Sequence, residues 1–405
     1  MARVCVIREH YVPQDSRVAR EVGALAALGH QVDVICLRDT HQPRVERGPG
    51  VTVWRLPLRH SRGRRAVRYL LEYGAFFVLA GGLVTALHLR RRYRLVQVNS
   101  LPDALVFAAA VPRLLGARVL LDLQECMPEF FATKFGVDLV HPAVRTIARV
   151  ERASIRFADL VITPTSQMRE AFVARGANPG KITVVMDGAD AEVFRPVPEP
   201  ARGTAFTLIT HGTVEPHYGI DTAIEAVALL REEIPGLRLS VYGDGSDLPR
   251  LRRLAADRGV ADRVHFSGGF VPIEELVDAI ARADVGVVAM RRDPFRDVTL
   301  AGKMFDFIAM GKPVVSSRTR AVEQTFGESC VELFESGDAA DLAAALRRLA
   351  GDPQRRARMA REAAQVAQAY QWPRQREIYA GVVDRLLRRR RGLTAAAESA
   401  TPPPR

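Results

Sequence analysis

The chain has 405 residues, which is too long for one ordinary hydrophobic core and predicts two domains. A composition with 48% hydrophobic and 26% charged residues is typical of a soluble globular protein. The formal net charge is +12, and residues 1–190 contribute +10 of it, with 27 basic against 17 acidic side chains. The basic N-terminal half therefore predicts an anionic surface as its partner, either lipid or nucleic acid.

The spacing of the cysteines and the first residues of the chain indicate the cellular compartment of the protein. The four cysteines, at positions 5, 36, 126 and 330, are widely scattered, which excludes a metal-type pairing and favours a reducing environment. Arg3, Arg8 and Glu9 carry charge where a secretory signal peptide needs an apolar run. We therefore expect a cytoplasmic protein.

Strand patterns and helix patterns alternate along the first half of the chain. Short runs rich in β-branched and aliphatic residues predict strands at 4–7, 31–36, 51–56, 95–99, 119–123, 160–163 and 182–186. Helical periodicity fills most of the intervals, as it does from Ser16 to Leu28. This alternation predicts a parallel, doubly wound α/β sheet.

The same pattern restarts after a proline-rich stretch, residues 195–204, which is interpreted as a linker. A second series of strands is predicted at 206–211, 237–242, 264–267, 285–288, 314–316 and 331–334. The prediction is therefore two Rossmann-like domains in tandem, residues 1–194 and 205–370. We expect such a pair to bind its ligand in a central cleft, at the carboxyl ends of both sheets.

The most informative segment is residues 299–315, where a helix is predicted directly after the small residues Ala301 and Gly302. The N-terminus of a helix directs free N–H groups and the positive end of its dipole at whatever lies in front of it. Lys303 in the first turn is unfavourable for the helix itself, which makes sense if an anion binds there. Asp306, on the same face, could accept hydrogen bonds from vicinal hydroxyls. A cation for phosphate and a carboxylate for ribose predict a nucleotide site.

A surface lysine on an ordinary amphipathic helix is the plain alternative for this segment. Only four of the 58 basic residues are lysines (134, 181, 303 and 312), so an ammonium at 303 is unusual in this chain. The nucleotide interpretation is therefore favoured, and the turn before the helix adds Leu300, Ala301 and Gly302 as donor-binding residues.

The segment resembles the donor-site signature of glycosyltransferase family 4, retaining enzymes that use sugar nucleotides. It is most similar to a bacterial, polysaccharide-type branch with the pattern Ser-Leu-Pro-Asn/Ser-Lys-x-Phe-Glu-Tyr-Met-Ala-x-Gly-Lys-Pro-Val-Val. Lys303 matches the lysine of that pattern, and Asp306 matches the glutamate that binds ribose. Ala301 replaces the proline, and Val298 replaces the first of the family's paired glutamates.

The resemblance covers nearly the whole chain and implies a GT-B fold of two Rossmann-like domains. Residues 371–392, with Trp372 and Tyr379, resemble the family's C-terminal helix, which crosses back onto the first domain. Residues 393–405 are predicted to be disordered. The resemblance also implies retention of configuration, with the leaving diphosphate of a nucleotide diphosphate-sugar assisting in place of a protein nucleophile. The sequence shows no metal-ligand cluster, so we expect no metal and no cofactor.

Loops of the second domain supply further candidate donor contacts. Residues 211–219 follow its first strand, which is the location of a phosphate loop, although a plain strand-to-helix turn is the alternative. In much of the family an arginine and a lysine stand at the positions of Thr213 and Tyr218, so Lys303 becomes the main candidate cation. Residues 266–271 resemble the family's base-contacting loop. The donor contacts predicted from these loops are Gly212, Thr213, Tyr218, Gly219, Gly243, Phe270 and Val271.

In the first domain, residues 122–129 resemble the branch's Asp-x-His-Asp-x-Met-Pro-Glu, with Gln124 where the family has a histidine near the donor sugar. Glutamine can hydrogen-bond a sugar hydroxyl but cannot carry a proton. The predicted catalytic residues are therefore Lys303, Asp306 and Gln124. A solvated loop is the alternative at Glu125 and Glu129. The predicted acceptor-side residues are Arg17, Asp103, Glu125 and Glu129.

An apolar segment at residues 69–89 lies between two groups of arginines. Its uncharged core, residues 74–87, is too short to span a bilayer. An apolar helix with basic flanks suits an interfacial position on anionic lipid, and a buried helix with solvated arginines is the alternative. The flanking residues are Arg62, Arg64, Arg65, Arg68, Arg90, Arg91, Arg92 and Arg94.

These observations favour a retaining glycosyltransferase that moves a sugar from a nucleotide diphosphate-sugar to a lipid-linked or polysaccharide acceptor at the inner face of the cell membrane. The alternative from another class is a catalytically weak sugar-nucleotide-binding scaffold in polysaccharide assembly. The missing histidine and first glutamate favour that alternative. A nucleic-acid partner is not expected, because the chain lacks an interleaved aromatic and basic pattern or a known motif.

Overall fold

The computed structural model describes residues 1–58, 66–197 and 205–388, with side chains from residue 71 onward in the second range. The chain divides into two compact units: unit 1 is Met1–Met186 with Arg376–Arg405, and unit 2 is Asp187–Gln375. The division lies earlier in the chain than the boundary at 194 and 195 that the linker predicts. Residues 198–204 of the predicted linker and residues 389–405, which include the predicted tail, lie outside the described residues.

The strands of unit 1 occur where the sequence predicts them, with one addition. The strands described are β1 (Arg3–Arg8), β2 (Gln31–Leu37), β3 (Val45–Gly48), β4 (Val51–Leu56), β5 (Leu95–Asn99), β6 (Arg118–Asp122), β7 (Leu160–Thr163) and β8 (Ile182–Val184). They form one sheet in the order β3-β4-β2-β1-β5-β6-β7-β8. Neighbouring pairs are parallel, except that β3 is antiparallel to β4. The sequence did not predict β3, because this short, charged and exposed edge strand has no apolar run.

Helices fill the intervals between these strands. The helices of unit 1 up to β8 are α1 (Ser16–Ala27), α2 (Ala66–Arg91), α3 (Ala110–Leu114), α4 (Met127–Phe135), α5 (Pro142–Phe157) and α6 (Ser166–Ala174). Asp15 begins α1 by accepting a hydrogen bond from the backbone N–H of Val18. Because α1 leads from β1 to one side of the sheet and α2 leads to the other, the right-handed crossover rule places them on opposite faces.

Unit 2 contains a second parallel sheet, in the order β11-β10-β9-β12-β13-β14. Its strands are β9 (Phe206–His211), β10 (Leu237–Tyr242), β11 (Val264–Phe266), β12 (Val285–Val288), β13 (Val314–Ser317) and β14 (Val331–Phe334). Its core is aliphatic, and Leu208, Leu239 and Val287 of the strands belong to the same buried cluster as Ile224 and Leu346. The predicted α/β architecture of two parallel, doubly wound sheets is confirmed.

The remaining helices follow in chain order: α7 (Ile220–Leu230), α8 (Leu248–Asp257), α9 (Ile273–Arg282), α10 (Gly302–Ala309), α11 (Arg320–Thr325), α12 (Gly327–Cys330), α13 (Ala339–Gly351), α14 (Pro353–Gln368) and α15 (Trp372–Arg388). The boundary between the units falls within α15, and the residues from Arg376 onward belong to unit 1. Tyr379 anchors this part of the helix, because its buried hydroxyl donates to Gln97 of β5 at 2.5 Å. The helix therefore returns to the first domain, as predicted.

Each sheet reverses its strand order at one point, between β1 and β5 in unit 1 and between β9 and β12 in unit 2. Ligands of open α/β sheets bind at the carboxyl ends of the strands beside such a switch point. In unit 2 the two loops that begin there are residues 212–219 and 289–301, and the second of them leads into α10.

Candidate functional site

The loops after β9 and β10 form the floor of the candidate site in unit 2. The backbone N–H of Gly212 donates to Tyr242 O at 2.8 Å, and that of Val214 donates to Asp244 O at 2.9 Å. Gly243 has φ +143°, and a Cβ there would overlap the carbonyl oxygen of Gly212. Only glycine lets the two loops approach this closely, so the predicted glycines at 212 and 243 are brought together as one surface.

Helix α10 is held against the sheet by a second close approach. A Cβ on Gly286 of β12 would overlap the ring of Phe307, so the ring packs directly on the strand. Among the described residues no side chain caps the N-terminus of α10, whose N-cap position is Ala301. The first N–H groups of the helix and the positive end of its dipole therefore face the switch point.

Lys303 places a cation at this helix terminus. Its Nζ lies 4.5 Å from the ring centroid of Tyr218, a cation–π contact, and close to Gly212. Burial lowers the pKa of Lys303 from 10.5 to about 8, although the Asp306 carboxylate acts in the opposite direction. Within the described parts of the chain, no hydrogen-bond acceptor lies on Nζ. A partly desolvated ammonium in this state is positioned for an anion.

Asp306 lies one helical turn beyond Lys303, beside a histidine that the sequence did not single out. His211 Nε2 is 3.5 Å from Asp306 Oδ2, and burial together with the nearby Lys303 lowers the pKa of His211 to about 3. The imidazole is therefore neutral at physiological pH, and the pair is not an ion pair. Phe194 stacks on the imidazole, and Phe307 packs edge-on to it. The position of His211 at the end of a strand that leads into a phosphate-type loop is a signal that could have identified it.

The other predicted donor-binding residues of unit 2 differ in how exposed they are. Ser267 links the base-contacting loop to the floor, since its Oγ accepts from Gly243 N–H at 3.0 Å and donates to Gly269 O at 2.7 Å. Phe270 is 74% exposed at the tip of that loop. Thr213 is exposed, Gly219 is buried, and the remainder are partly exposed: Tyr218, Val271, Leu300 and Ala301.

In unit 1 the carboxyl ends of β5 and β6 carry a buried polar network. Arg17 donates to both carboxylate oxygens of Asp122, at 3.0 and 2.9 Å, and to Val185 O at 3.0 Å. Asn99 donates to Asp122 and to Glu21, and burial together with Asp122 raises the pKa of Glu21 to about 8. Arg17 is only 7% exposed, so its predicted position on the acceptor side is corrected to an interior one. A sequence cannot show this, because Asp122 lies 105 residues away.

Gln124, the predicted substitute for a catalytic histidine, lies at the edge of this network. Its Nε2 donates to Asp122 Oδ2 at 2.9 Å, and its backbone N–H donates to Ser100 Oγ at 3.1 Å. The side chain is partly exposed. The hydrogen bond to Asp122 therefore fixes the orientation of the Gln124 side-chain amide.

A second buried group in unit 1 contains the other acceptor-side candidates. Arg175 donates to Glu129 at 2.5 Å and to both oxygens of Glu151 at 2.8 Å. The solvated-loop alternative is therefore wrong for Glu129, which is buried, whereas Glu125 is partly exposed. Asp103 is buried, its Oδ1 has no hydrogen-bond partner among the described residues, and burial raises its pKa well above the ordinary value.

Helix α2 contains the predicted interfacial segment. Phe76, Ala80, Val84 and Leu87 are buried at helical spacing, so this face of the predicted interfacial segment belongs to the core of unit 1. The opposite face is open, with Phe77, Val78 and Leu79 all exposed, Val78 to 68%. The buried-helix alternative is thus correct for one face of the helix, and the interfacial position stays a prediction for the open face.

Fewer of the arginines that flank the apolar segment are available to bind lipid than the sequence suggested. Arg91 donates to both oxygens of Asp33, and Arg94 donates to Leu387 O, so two of the four arginines after the helix bind within unit 1. Arg90 and Arg92 are exposed. Arg62, Arg64 and Arg65 lie outside the described residues, and Arg68 lies in the first turn of α2 with its side chain outside them. The stretch Leu71–Arg91 is long and apolar enough, by length and composition only, to cross a membrane, which the shorter count of uncharged residues did not predict.

No group of three or more His, Cys, Asp or Glu side chains that could hold a metal ion occurs among the described residues. The four cysteines are all free and buried.

Two family profiles match the chain, one on each unit. Residues 14–188 match the glycosyl transferase 4-like domain, and residues 205–352 match glycosyl transferases group 1. A curated relative, the D-inositol 3-phosphate glycosyltransferase of Thermomonospora curvata, is 30% identical over 299 residues, which are 62% of this chain and 68% of the relative. The GDP-mannose-dependent alpha-(1-6)-phosphatidylinositol monomannoside mannosyltransferase of Mycobacterium tuberculosis is 30% identical over 193 residues, 45% of this chain and 50% of that protein.

Solved structures share the fold at lower identity. Sucrose-phosphate synthase from Thermosynechococcus elongatus superposes with a TM-score of 0.73 at 22% identity, over 95% of this chain and 99% of that one. HepE from Anabaena, in complex with UDP, superposes with a TM-score of 0.70 at 16% identity, over 95% and 100% of the two chains. Together with the sequence matches, these findings establish that the chain belongs to glycosyltransferase family 4 and has the two-domain GT-B fold of that family.

Proposed function

We propose that this glycosyltransferase transfers a sugar from a nucleotide diphosphate-sugar to a lipid-linked or polysaccharide acceptor, with retention of configuration, at the inner face of the cell membrane. The observation that carries the donor part is the Lys303 ammonium at the uncapped N-terminus of α10. The printed names of relatives support the substrate classes, since one is a GDP-mannose-dependent phosphatidylinositol monomannoside mannosyltransferase and another is a D-inositol 3-phosphate glycosyltransferase.

The chemistry proposed for the donor site is electrostatic. Cleavage of the bond between sugar and diphosphate leaves additional negative charge on the departing nucleoside diphosphate. Lys303 and the first N–H groups of α10 are positioned to stabilise that charge without reorganisation, which is the usual source of a large rate effect. Asp306 would accept the ribose hydroxyls, and the neutral His211 beside it adds no competing positive charge. We propose that these groups act without a metal ion, so transfer should survive treatment with EDTA.

Binding and activity are tested separately. UDP, GDP and ADP would be screened for thermal stabilisation, where a ligand at 100 times its dissociation constant adds about 2.7 kcal/mol. The corresponding sugar nucleotides would then be assayed for hydrolysis and transfer. Stabilisation by none of the three diphosphates would contradict the donor site.

A catalytically weak sugar-nucleotide-binding scaffold is the second candidate function. The observation that favours it is Gln124, which stands where the family has a histidine and whose amide donates to Asp122. A protein that binds a nucleoside diphosphate but turns over none of the sugar nucleotides would support the scaffold. Measurable transfer to any acceptor would exclude it.

The membrane part of the proposal rests on an exposed apolar surface of unit 1, the α2–α3 surface. It combines the open face of α2 with α3, which contacts α2 and exposes Leu114 to 86%. Exposed arginines at the end of α2 supply the charge that anionic lipid attracts, at about 1 kcal/mol each. The exposed residues of this surface are Leu71, Phe77, Val78, Leu79, Leu89, Val111, Leu114 and Leu115.

Vesicle binding tests this surface. We expect wild-type protein to sediment with vesicles of anionic phosphatidylglycerol at low salt and to stay largely free of neutral phosphatidylcholine. Val78→Glu with Leu114→Glu should release the protein. Leu229→Glu, at an exposed apolar position of unit 2, is the matched control and should remain bound. Wild-type protein that ignores anionic vesicles would refute the membrane part alone.

A further inference from the structure

The loop between β12 and α10 carries a buried arginine that the sequence did not mark. Arg296 is 8% exposed, and its guanidinium lies 5.2 Å from the ring centroid of Phe295. One terminal nitrogen donates to Asp293 Oδ2 at 3.1 Å. The Nε–H is buried and has no acceptor anywhere in the described residues. The side chain is thus fixed in place with a charged donor group left unsatisfied.

The loop is built to hold this arginine rigidly. Asp293 Oδ1 accepts hydrogen bonds from the backbone N–H groups of Phe295 and Arg296, both at 2.9 Å. Asp297 N–H donates to Asp293 O, and Asp297 Oδ1 accepts from Arg320 N–H at 3.0 Å. A buried and incompletely paired cation destabilises a protein, so such a group is retained where a ligand completes its interactions.

The loop that carries Arg296 contacts the turn of the candidate donor site. The backbone N–H of Arg291 donates to His217 O at 2.9 Å, which ties the loop to the turn that carries Tyr218. The ring of Tyr218 contacts the Lys303 ammonium. Burial lowers the pKa of His217, and Arg296 and Lys303 lower it further, against the opposing effect of Glu215 and Asp293. Both cations are therefore close enough to this turn to act on His217.

Charge balance indicates which ligand these two cations would bind. The diphosphate of a sugar nucleotide carries two negative charges, and the departing nucleoside diphosphate carries more. The phosphate loop offers Thr213 and Tyr218 in place of charged side chains. Lys303 by itself supplies one positive charge. A second cation of fixed charge is needed to match the diphosphate, and a guanidinium recognises phosphate oxygens well.

We propose that Arg296 is the second cation of the donor diphosphate site, where its Nε–H donates to a phosphate oxygen. This assignment rests on the proposed nucleotide-sugar donor and deepens it, because it names the group that completes phosphate recognition.

The test compares Arg296→Gln with wild-type protein in calorimetric titrations of UDP, GDP and ADP and of the matching monophosphates. For the diphosphate that wild-type protein binds best, the variant should lose about tenfold or more in affinity, the loss expected for one charge-assisted hydrogen bond. The monophosphate should lose less. Arg292→Gln is the matched control, since Arg292 lies in the same loop but is 50% exposed and pairs with Asp297, and its affinity should not change.

Two outcomes separate this inference from the proposed function. If wild-type protein binds a diphosphate and Arg296→Gln binds it equally well, the inference fails and the donor site stands. If wild-type protein binds no diphosphate, the proposed function itself fails.

A measurement on wild-type protein keeps the test independent of how the variant folds. The buried Nε–H of Arg296 should give a slowly exchanging NMR resonance, assigned by its loss in Arg296→Lys. Addition of the nucleoside diphosphate should shift this resonance, and the nucleoside should leave it in place. An unshifted resonance in the saturated complex would overturn the proposal.

Discussion

Both units bury charged side chains at the carboxyl ends of their strands, but they complete the interactions of those side chains to different degrees. In unit 1, Arg17 uses its donor nitrogens on Asp122 and Val185 O, and Asn99 adds two further hydrogen bonds. In unit 2, the Lys303 ammonium faces an aromatic ring, and Arg296 keeps an unsatisfied Nε–H. Removing one partner of a buried, paired charge destabilises a fold, whereas a buried charge with fewer partners is available to a ligand.

Unit 1 also contains buried polar atoms without a hydrogen-bond partner in the described chain, among them Asp103 Oδ1, Glu21 Oε1 and Arg55 Nε, and Asp103 is the most informative of them. Its Oδ1 lacks a partner within the described chain, as Arg296 Nε does, yet burial raises its pKa well above the ordinary value. The carboxyl group can therefore become neutral, and a neutral group costs less to bury than a charged one. An arginine has no such option, because it stays protonated. Arg55 of unit 1 also keeps an unsatisfied Nε–H, so an unsatisfied guanidinium indicates a ligand only where it lies near a candidate anion site, as Arg296 does.

The largest effect should come from breaking the buried network around Arg17. Arg17→Met leaves Asp122 and Glu21 buried without their cation, which should lower the free energy of unfolding by about 3–5 kcal/mol. Urea denaturation followed by far-UV circular dichroism measures this loss. Arg145→Met, at an exposed position of α5, should change it by less than about 0.5 kcal/mol. An Arg17→Met protein of wild-type stability would show that the network is not structural.

Breaking the incomplete site should act on binding and not on folding. Lys303→Ala removes a charge-assisted contact worth about 1.5–3 kcal/mol, so the affinity for a nucleoside diphosphate should fall about ten- to a hundredfold. The nucleoside itself should bind as before, and stability should not decrease, since a desolvated cation is removed. Isothermal titration with both ligands measures the difference. Equal loss for the two ligands would remove Lys303 from the phosphate site.

The pH dependence of nucleoside diphosphate binding gives a second test of Lys303. With a pKa of about 8 in the free protein, Lys303 loses its charge at lower pH than an ordinary lysine. Affinity for a nucleoside diphosphate should therefore fall as pH rises through about 8, whereas Lys303→Arg should give a flatter profile. Because the unfolded chain binds more protons than the folded one between about 8 and 10.5, this lysine makes stability rise with pH in that window. A wild-type profile that is flat to pH 9.5 would contradict the lowered pKa.

The smallest effect concerns the ribose. Asp306→Asn exchanges a carboxylate for an amide that keeps one acceptor, so a loss of about 1 kcal/mol is expected. The loss should be confined to ribonucleotides, and a 2′-deoxynucleoside diphosphate should bind the variant and the wild type almost equally. Competition titrations with the two sugars measure this. If wild-type protein does not distinguish the 2′-deoxy form from the ribo form, Asp306 does not read the 2′-hydroxyl.

Sequence patterns located the candidate donor site because its parts are local. A strand, a glycine and a helix N-terminus follow one another within a few residues at 206–220 and again at 285–303, and parallel topology then brings the two loops together. The neutral state of His211 and the burial of Arg296 could not be predicted from local sequence patterns. Both depend on neighbours from separate strands and loops, such as Phe307 packed on Gly286.

The same distinction holds across the molecule. The sequence by itself determined the alternation of strands and helices, the two tandem parallel sheets and the candidate nucleotide motif at Lys303 and Asp306, because periodicity and turn residues act over short stretches of chain. Only the tertiary structure decided that Arg17 is an interior residue, that Glu129 is buried on Arg175, and that one face of α2 is core while the other is open. The physical reason is that burial and charge pairing arise between residues far apart in the chain, and the pKa and the partners of a group are set only when those residues meet.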